Sequence, residues 1–143
     1  MNKLKHWLFL DSNNAKDVGL LILRIGIGLI FVKHGYPKIM GGPQMWQGLG
    51  GAMANLGITF APTFWGFMAA CSEFFGGLCL IFGFLTRPAA FLLGCVMFTA
   101  VVMHASKGDP WSTMAHPLSL LVVFIALFVA GAGNYSVDRR LRK

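Results

Sequence analysis

The chain has 143 residues, of which 56% are hydrophobic and only 12% charged, about half the charged fraction of an ordinary soluble domain. That leaves too few polar side chains to clothe a water-facing surface, so the composition excludes a typical soluble domain and predicts an all-α protein whose outside meets lipid. The formal net charge of +7 is gathered at the two ends (Lys3, Lys5, Lys16; Arg139, Arg140, Arg142, Lys143). These ends flank apolar segments and form no basic face, which fits anionic lipid headgroups better than nucleic acid as a partner.

In chain order, the apolar stretch 7–10 is too short for a signal peptide, and the first long apolar run is expected to stay as an anchor. Four spans are predicted, at about 18–35, 60–85, 88–104 and 117–133, near the length that crosses a bilayer. The whole chain then reads as one membrane domain, a four-helix bundle. In the first span Arg24, Gly28, Phe31 and Gly35 share a face. The Gly-rich stretch 36–59 follows. There Met45, Trp46, Leu49, Met53 and Leu56 recur at helical spacing after Pro43. They predict a short interfacial helix between the first two spans, with a plain loop as the alternative.

In the second span Gly66, Ala69, Ala70, Glu73, Gly76, Gly77 and Gly83 form a small-residue stripe. The tight turn 85–88 closes on Pro88. The third span carries Ala90, Gly94, Met97, Val101 and His104 on one face, the stretch 105–116 reads as a polar loop, and the fourth span aligns Ser119, Ala126, Ala130 and Gly133. Such stripes let membrane helices approach closely. Four spans put both termini and Arg87 on one side, and the excess of Lys and Arg there makes that side cytoplasmic.

Two charges fall inside spans. Arg24 is expected about 10 Å deep and Glu73 about 17 Å deep, from a rise of 1.5 Å per residue, so the two are predicted to pair and keep Glu73 ionised. The rival reading is a purely structural pair that sets helix register. His34, His104 and His116 fall at the opposite membrane face with Tyr36, Lys38, Trp46 and Trp111. They are expected either as an ordinary interfacial belt or as a polar pocket at the outer mouth, lined by His34, Tyr36, Lys38, His104 and His116. A metal or haem site is a third reading, but the ligand spacing is non-local. Cys71, Cys79 and Cys95 lie in apolar runs with no C-x-x-C, so no thiol redox centre or zinc site is expected.

The stretches "LRIGIGLIFVKHGYPKIMGG", "SEFFGGLCLIFGFLTRPAA" and "HPLSLLVVFIALFVAGAGNYSVDRR" resemble the DoxX family of small bacterial membrane proteins. The resemblance runs from about residue 18 to residue 140. It implies a four-helix bundle in the bacterial inner (plasma) membrane and a link to quinone chemistry. The family takes its name from a terminal quinol oxidase subunit, and relatives are associated with thiosulfate oxidation and oxidative-stress complexes. On that basis the chain is expected to be an accessory subunit of a quinone-linked oxidoreductase. Quinone is the only cofactor implied, and a soluble or membrane redox protein is the implied partner. No family catalytic residue carries over. Alternatives from the residues themselves are a small transporter or permeation protein using Arg24 and Glu73, with a second copy supplying the missing wall, and a scaffold without chemistry.

Overall fold

Long runs of Leu, Ile and Phe, punctuated by Gly and Pro, fold into helices that end where glycine accepts a left-handed turn. The computed structural model describes residues 13–143; the expectations resting on Lys3, Lys5 and the 7–10 stretch lie outside the described residues. The elements are α1 (Asn13–Met40), α2 (Gly42–Gly50), a 3₁₀ turn (Gly51–Leu56), α3 (Pro62–Phe82), α4 (Thr86–Lys107), α5 (Trp111–Ala130) and a short α6 (Val137–Leu141). No strand occurs among the described residues. α3, α4 and α5 are each long and apolar enough to cross a membrane.

One core joins the four long helices. Phe31 of α1, Leu80 of α3, Leu93 and Met97 of α4, and Phe124 and Leu127 of α5 are buried together, and Phe31 meets Phe124 edge-on at 5.1 Å between ring centroids. The outer surface is equally apolar: Ile22 is 67% exposed and Val129 70%, with Phe75, Phe91 and Val122 also outward. A surface that apolar belongs in lipid.

α1 and α3 run antiparallel with their backbones nearly touching. A Cβ on Gly28 would sit 2.7 Å from the Gly77 carbonyl oxygen, and one on Gly35 would sit 2.5 Å from the Phe74 nitrogen. Past Met40 the chain turns at Gly41 and Gly42, the latter at φ +75°, and α2 continues along the same α3 face. A Cβ on Gly66 would collide with the Trp46 carbonyl and one on Gly50 with that of Pro62. The short helix expected at the interface therefore exists, but it packs lengthwise against the first half of α3. Trp46 Nε1 fastens the bend by donating to the Lys38 carbonyl oxygen at 2.9 Å.

Several boundaries differ from the sequence reading. α1 extends to Met40 through Pro37, and the predicted polar loop 105–116 shrinks to residues 108–110 because α4 and α5 run on through its ends. The small-residue face expected on α5 is not its packing face: Ser119, Ala126 and Ala130 are exposed, and Pro117, Phe124 and Leu127 are buried. α5 meets its neighbours through large side chains, so it needs no small-residue stripe.

Gly28→Val or Gly77→Val is expected to lower the melting temperature of the detergent-solubilised protein by several degrees. The obstacle is backbone, and overpacking of this kind costs about 1–3 kcal/mol. Gly26→Ala, whose Cβ would meet nothing within 4 Å, is expected to leave the melting temperature unchanged or slightly raised.

Candidate functional site

The α1–α3 register decides which charges meet. With Gly35 against Glu73 and Phe74, the next turn of α1 brings Lys38 over Glu73. Lys38 Nζ donates to both Glu73 oxygens at 2.7 Å. The Glu73 side chain is 4% exposed and that of Lys38 30%. Glu73 lies about half-way along α3, so the pair sits deep in the bundle. The predicted Arg24–Glu73 pair does not form. In this register Arg24 lies beside Leu80 and Gly83, seven to ten residues along α3 from Glu73, or about 10–15 Å at helical rise. Depths counted from the ends of the apolar runs misplace it, because α1 overhangs α3 at the α6 end.

The pair borders a cavity of about 450 Å³ between α3, α4 and the 42–56 segment. Its walls are mostly apolar, with Leu49, Met53, Met68, Leu92, Val96, Met97 and Met103 among them. The polar groups on it are few: Lys38, Glu73, Ser72, Thr99 and Trp65. Ser72 bonds back to the Met68 carbonyl oxygen at 2.7 Å. Trp65 is different, because its indole N–H is buried without a hydrogen-bond partner. Such a donor normally finds an acceptor. The cavity thus combines flexible, polarisable walls with one ion pair, the usual make-up of a small-molecule site.

Arg24 has a different task at the α6 end. It is fully buried. Its Nη1 donates to the Leu80 carbonyl oxygen at 3.0 Å and its Nη2 to that of Tyr135 at 2.7 Å. The first contact caps the C-terminal end of α3, where unpaired carbonyls attract cations. Gly83 makes room, since a Cβ there would strike the guanidinium. Beside it, Asp138 accepts from the Leu85 amide at 2.8 Å and the Thr86 amide at 2.9 Å, capping α4 from across the fold. Leu85 itself is held at φ +48°. Burial pushes the Asp138 carboxyl up, but the two amide bonds and the charge of Arg142 outweigh it and hold it below its ordinary value.

The expected outer-mouth pocket is not assembled. None of the three histidines lines the cavity. His34 and His116 are exposed, and His104 Nδ1 is engaged by Asp109 Oδ2 at 2.7 Å. Tyr36 is exposed and leans on Phe74. Of that set only Lys38 reaches the cavity, and it does so half-way along α3, away from the outer face. His34 lies next to the buried Gly35 but points off the packing face, which is why a shared level did not become a shared pocket. Among the described residues no three His, Cys, Asp or Glu side chains are grouped to hold a metal ion. Trp65 and the methionines were missed because each is an ordinary apolar residue in its own helix. They acquire meaning only as neighbours of Glu73.

The DoxX family model matches residues 19–105, which covers α1 to α4 and every polar group on the cavity. The chain belongs to the DoxX family. It is 34% identical over 131 residues to the inner membrane protein YqjF of Escherichia coli, covering 90% of this chain and 95% of that protein. It is 32% identical over 148 residues to the E. coli inner membrane protein YphA, covering 98% and 100%. A Bacillus subtilis protein named "Putative oxidoreductase CatD" is 27% identical over 126 residues, covering 88% of this chain and 89% of its own length. No solved structure matches the chain significantly. This DoxX protein is accordingly a multi-pass protein of the bacterial inner membrane.

Two outcomes follow from these contacts. Lys38→Met alone strands the Glu73 carboxylate and is expected to cost up to about 3 kcal/mol, the low end for a broken buried pair because Lys38 is partly exposed; the double variant Lys38→Met with Glu73→Met should recover most of that in detergent melting curves. Asp138→Ala is expected to cost about 1 kcal/mol, as for a lost helix cap. Because the folded carboxyl titrates below its unfolded value, its contribution is present above about pH 4 and fades as pH falls through the folded pKa. The wild type should therefore lose more of its melting temperature between pH 6 and pH 3 than Asp138→Asn does.

Proposed function

We propose that this DoxX protein is an accessory subunit of a quinone-linked redox system and that the cavity beside Glu73 accepts the quinone ring. The observation that carries this reading is the cavity itself, about 450 Å³ in volume, mostly apolar in its walls and bordered by the Lys38–Glu73 pair. A flat apolar ring with carbonyl oxygens fits that lining: methionine and leucine walls take the ring, and Lys38 supplies a donor to an oxygen. A quinone bound there would supply two-electron, two-proton redox chemistry. The protein's own part is to exclude water, orient the ring, and hold the Glu73 side chain at the cavity wall as a proton-relay group. The name of the B. subtilis relative is consistent with a redox role.

The same reading takes α1 and α2 together as a fourth crossing, since α1 ends at Met40 level with the middle of α3 and α2 continues along its first half, and takes both ends of the described chain as cytoplasmic. Lys16, Arg87, Arg139, Arg140, Arg142 and Lys143 cluster at the α6 end, against Lys107 at the other, which favours that orientation. Permeation draws no support from Arg24, which is engaged by two carbonyls at one end of the bundle.

A partner protein is supported by Lys33 and His34. Both are exposed on α1, level with the middle of α3, where a lysine facing lipid costs about 2.5–3.5 kcal/mol on the insertion scale. The acidic residues among those described, Asp17, Glu73, Asp109 and Asp138, are all engaged within the chain, and among the described residues a second copy therefore offers Lys33 no free acidic side chain, which favours a different chain.

The test is quinone content. Lipid extracts of the purified protein should be enriched in quinone over an unrelated multi-pass protein, and Trp65→Phe combined with Lys38→Met should reduce that content at least fivefold. No enrichment, or enrichment unaffected by these changes, would sink the proposal. Photo-crosslinking from position 34 in intact cells should trap a membrane protein; adducts to lipid alone would remove the support for a partner.

A further inference from the structure

A second, smaller cavity lies at the α6 end, about 180 Å³ in volume, enclosed by the start of α4, the end of α5 and α6. Three arginines line it, Arg87, Arg139 and Arg142, all of them exposed, with a single acidic residue, Asp138. That carboxylate is committed elsewhere, because each of its oxygens accepts a backbone amide at the start of α4. Arg87 makes one bond, to the Val129 carbonyl oxygen at 3.1 Å. No carboxylate among the described residues lies within ion-pair distance of any of the three arginines. Gly131, at φ +80°, ends α5 beside the Arg87 guanidinium, which a Cβ there would touch at 3.5 Å. The result is a concave site in which three arginines outnumber one carboxylate, an excess of two positive charges.

We propose that this cavity binds a phosphate group, either the headgroup phosphate of an anionic membrane lipid or free phosphate. Guanidinium forks match a phosphate's oxygens two at a time, and the site lies at the ends of the spans, where basic pockets between membrane helices meet lipid headgroups. Arg140 and Lys143 carry the same charge on the same segment but do not line the cavity. They separate a built site from a generally basic tail.

The experiment uses the full chain in mild detergent, with short-chain phosphatidylglycerol, short-chain phosphatidylcholine and inorganic phosphate as probes, read by retained adducts in native mass spectrometry and by melting temperature. Phosphatidylglycerol should be retained in preference to phosphatidylcholine and should raise the melting temperature. Arg139→Gln with Arg142→Gln should cut retention at least fivefold, whereas Arg140→Gln with Lys143→Gln should match the wild type. Stabilisation by inorganic phosphate alone, with the same dependence on Arg139 and Arg142, also supports the site and identifies free phosphate as the ligand. Should the first double variant fold poorly, Arg142→Glu, which inverts one wall charge, is read the same way. Equal loss in both double variants, or no discrimination among the three probes, overturns the proposal. Quinone content is a separate readout at the other cavity, so either result stands without the other.

Discussion

The contact between the backbones of α1 and α3 is the constraint on which everything else hangs. Gly28 against Gly77 and Gly35 against Phe74 leave no room for a side chain, so the two helices cannot slide or rotate without collision. Membrane helices lack a hydrophobic push toward one another and associate through close packing of this kind. Once that register is set, Lys38 must lie over Glu73 and Arg24 must lie under the end of α3. The bend at Gly41 and Gly42 then lets α2 follow α3 further, which closes the cavity with Trp65, Met53 and the ion pair on its walls.

The two ends of the molecule divide the work. At the α6 end, the guanidinium of Arg24 and the carboxylate of Asp138 both serve backbone: one caps the C-terminus of α3, the other the N-terminus of α4. Ser136 adds a bond to the Arg139 amide, and Asp17 ties α1 to Asn134. These groups answer unpaired helix-end donors and acceptors, and they fasten the C-terminal segment to the bundle. Half-way along α3 the logic is reversed. The Lys38–Glu73 pair is not needed by any helix end, and a pair buried this far is weak evidence for stability. Its cost is better explained by what it presents to the cavity.

Much of this was legible from residue order. Low charge and long apolar runs required helices in lipid, and the face formed by Arg24, Gly28, Phe31 and Gly35 on α1 is the face the structure buries. The small residues flanking Glu73 are likewise buried. The pairing of charges was not legible, because a periodic pattern reports which face packs but not the axial offset between two helices. Arg24 lies seven to ten residues along α3 from Glu73, about two to three helical turns, and an axial offset misjudged on that scale changes which charge Glu73 meets. The histidines misled for a related reason: being level is not the same as facing inward. On α5 the pattern of small residues pointed the wrong way, because Phe124 and Leu127 fill the interface with bulk instead of allowing close approach.

The sequence by itself determined the solvent, the helical class, the buried faces of α1 and α3 and the family, all of which follow from composition and from spacing within single helices. Only the tertiary structure decided that Lys38 is the partner of Glu73, that Arg24 is a helix cap, and that Trp65 and four methionines share a cavity with that pair. Those facts depend on contacts between segments far apart in the chain, and the offsets that create them are set by a few close glycine contacts whose distances no one-dimensional pattern contains.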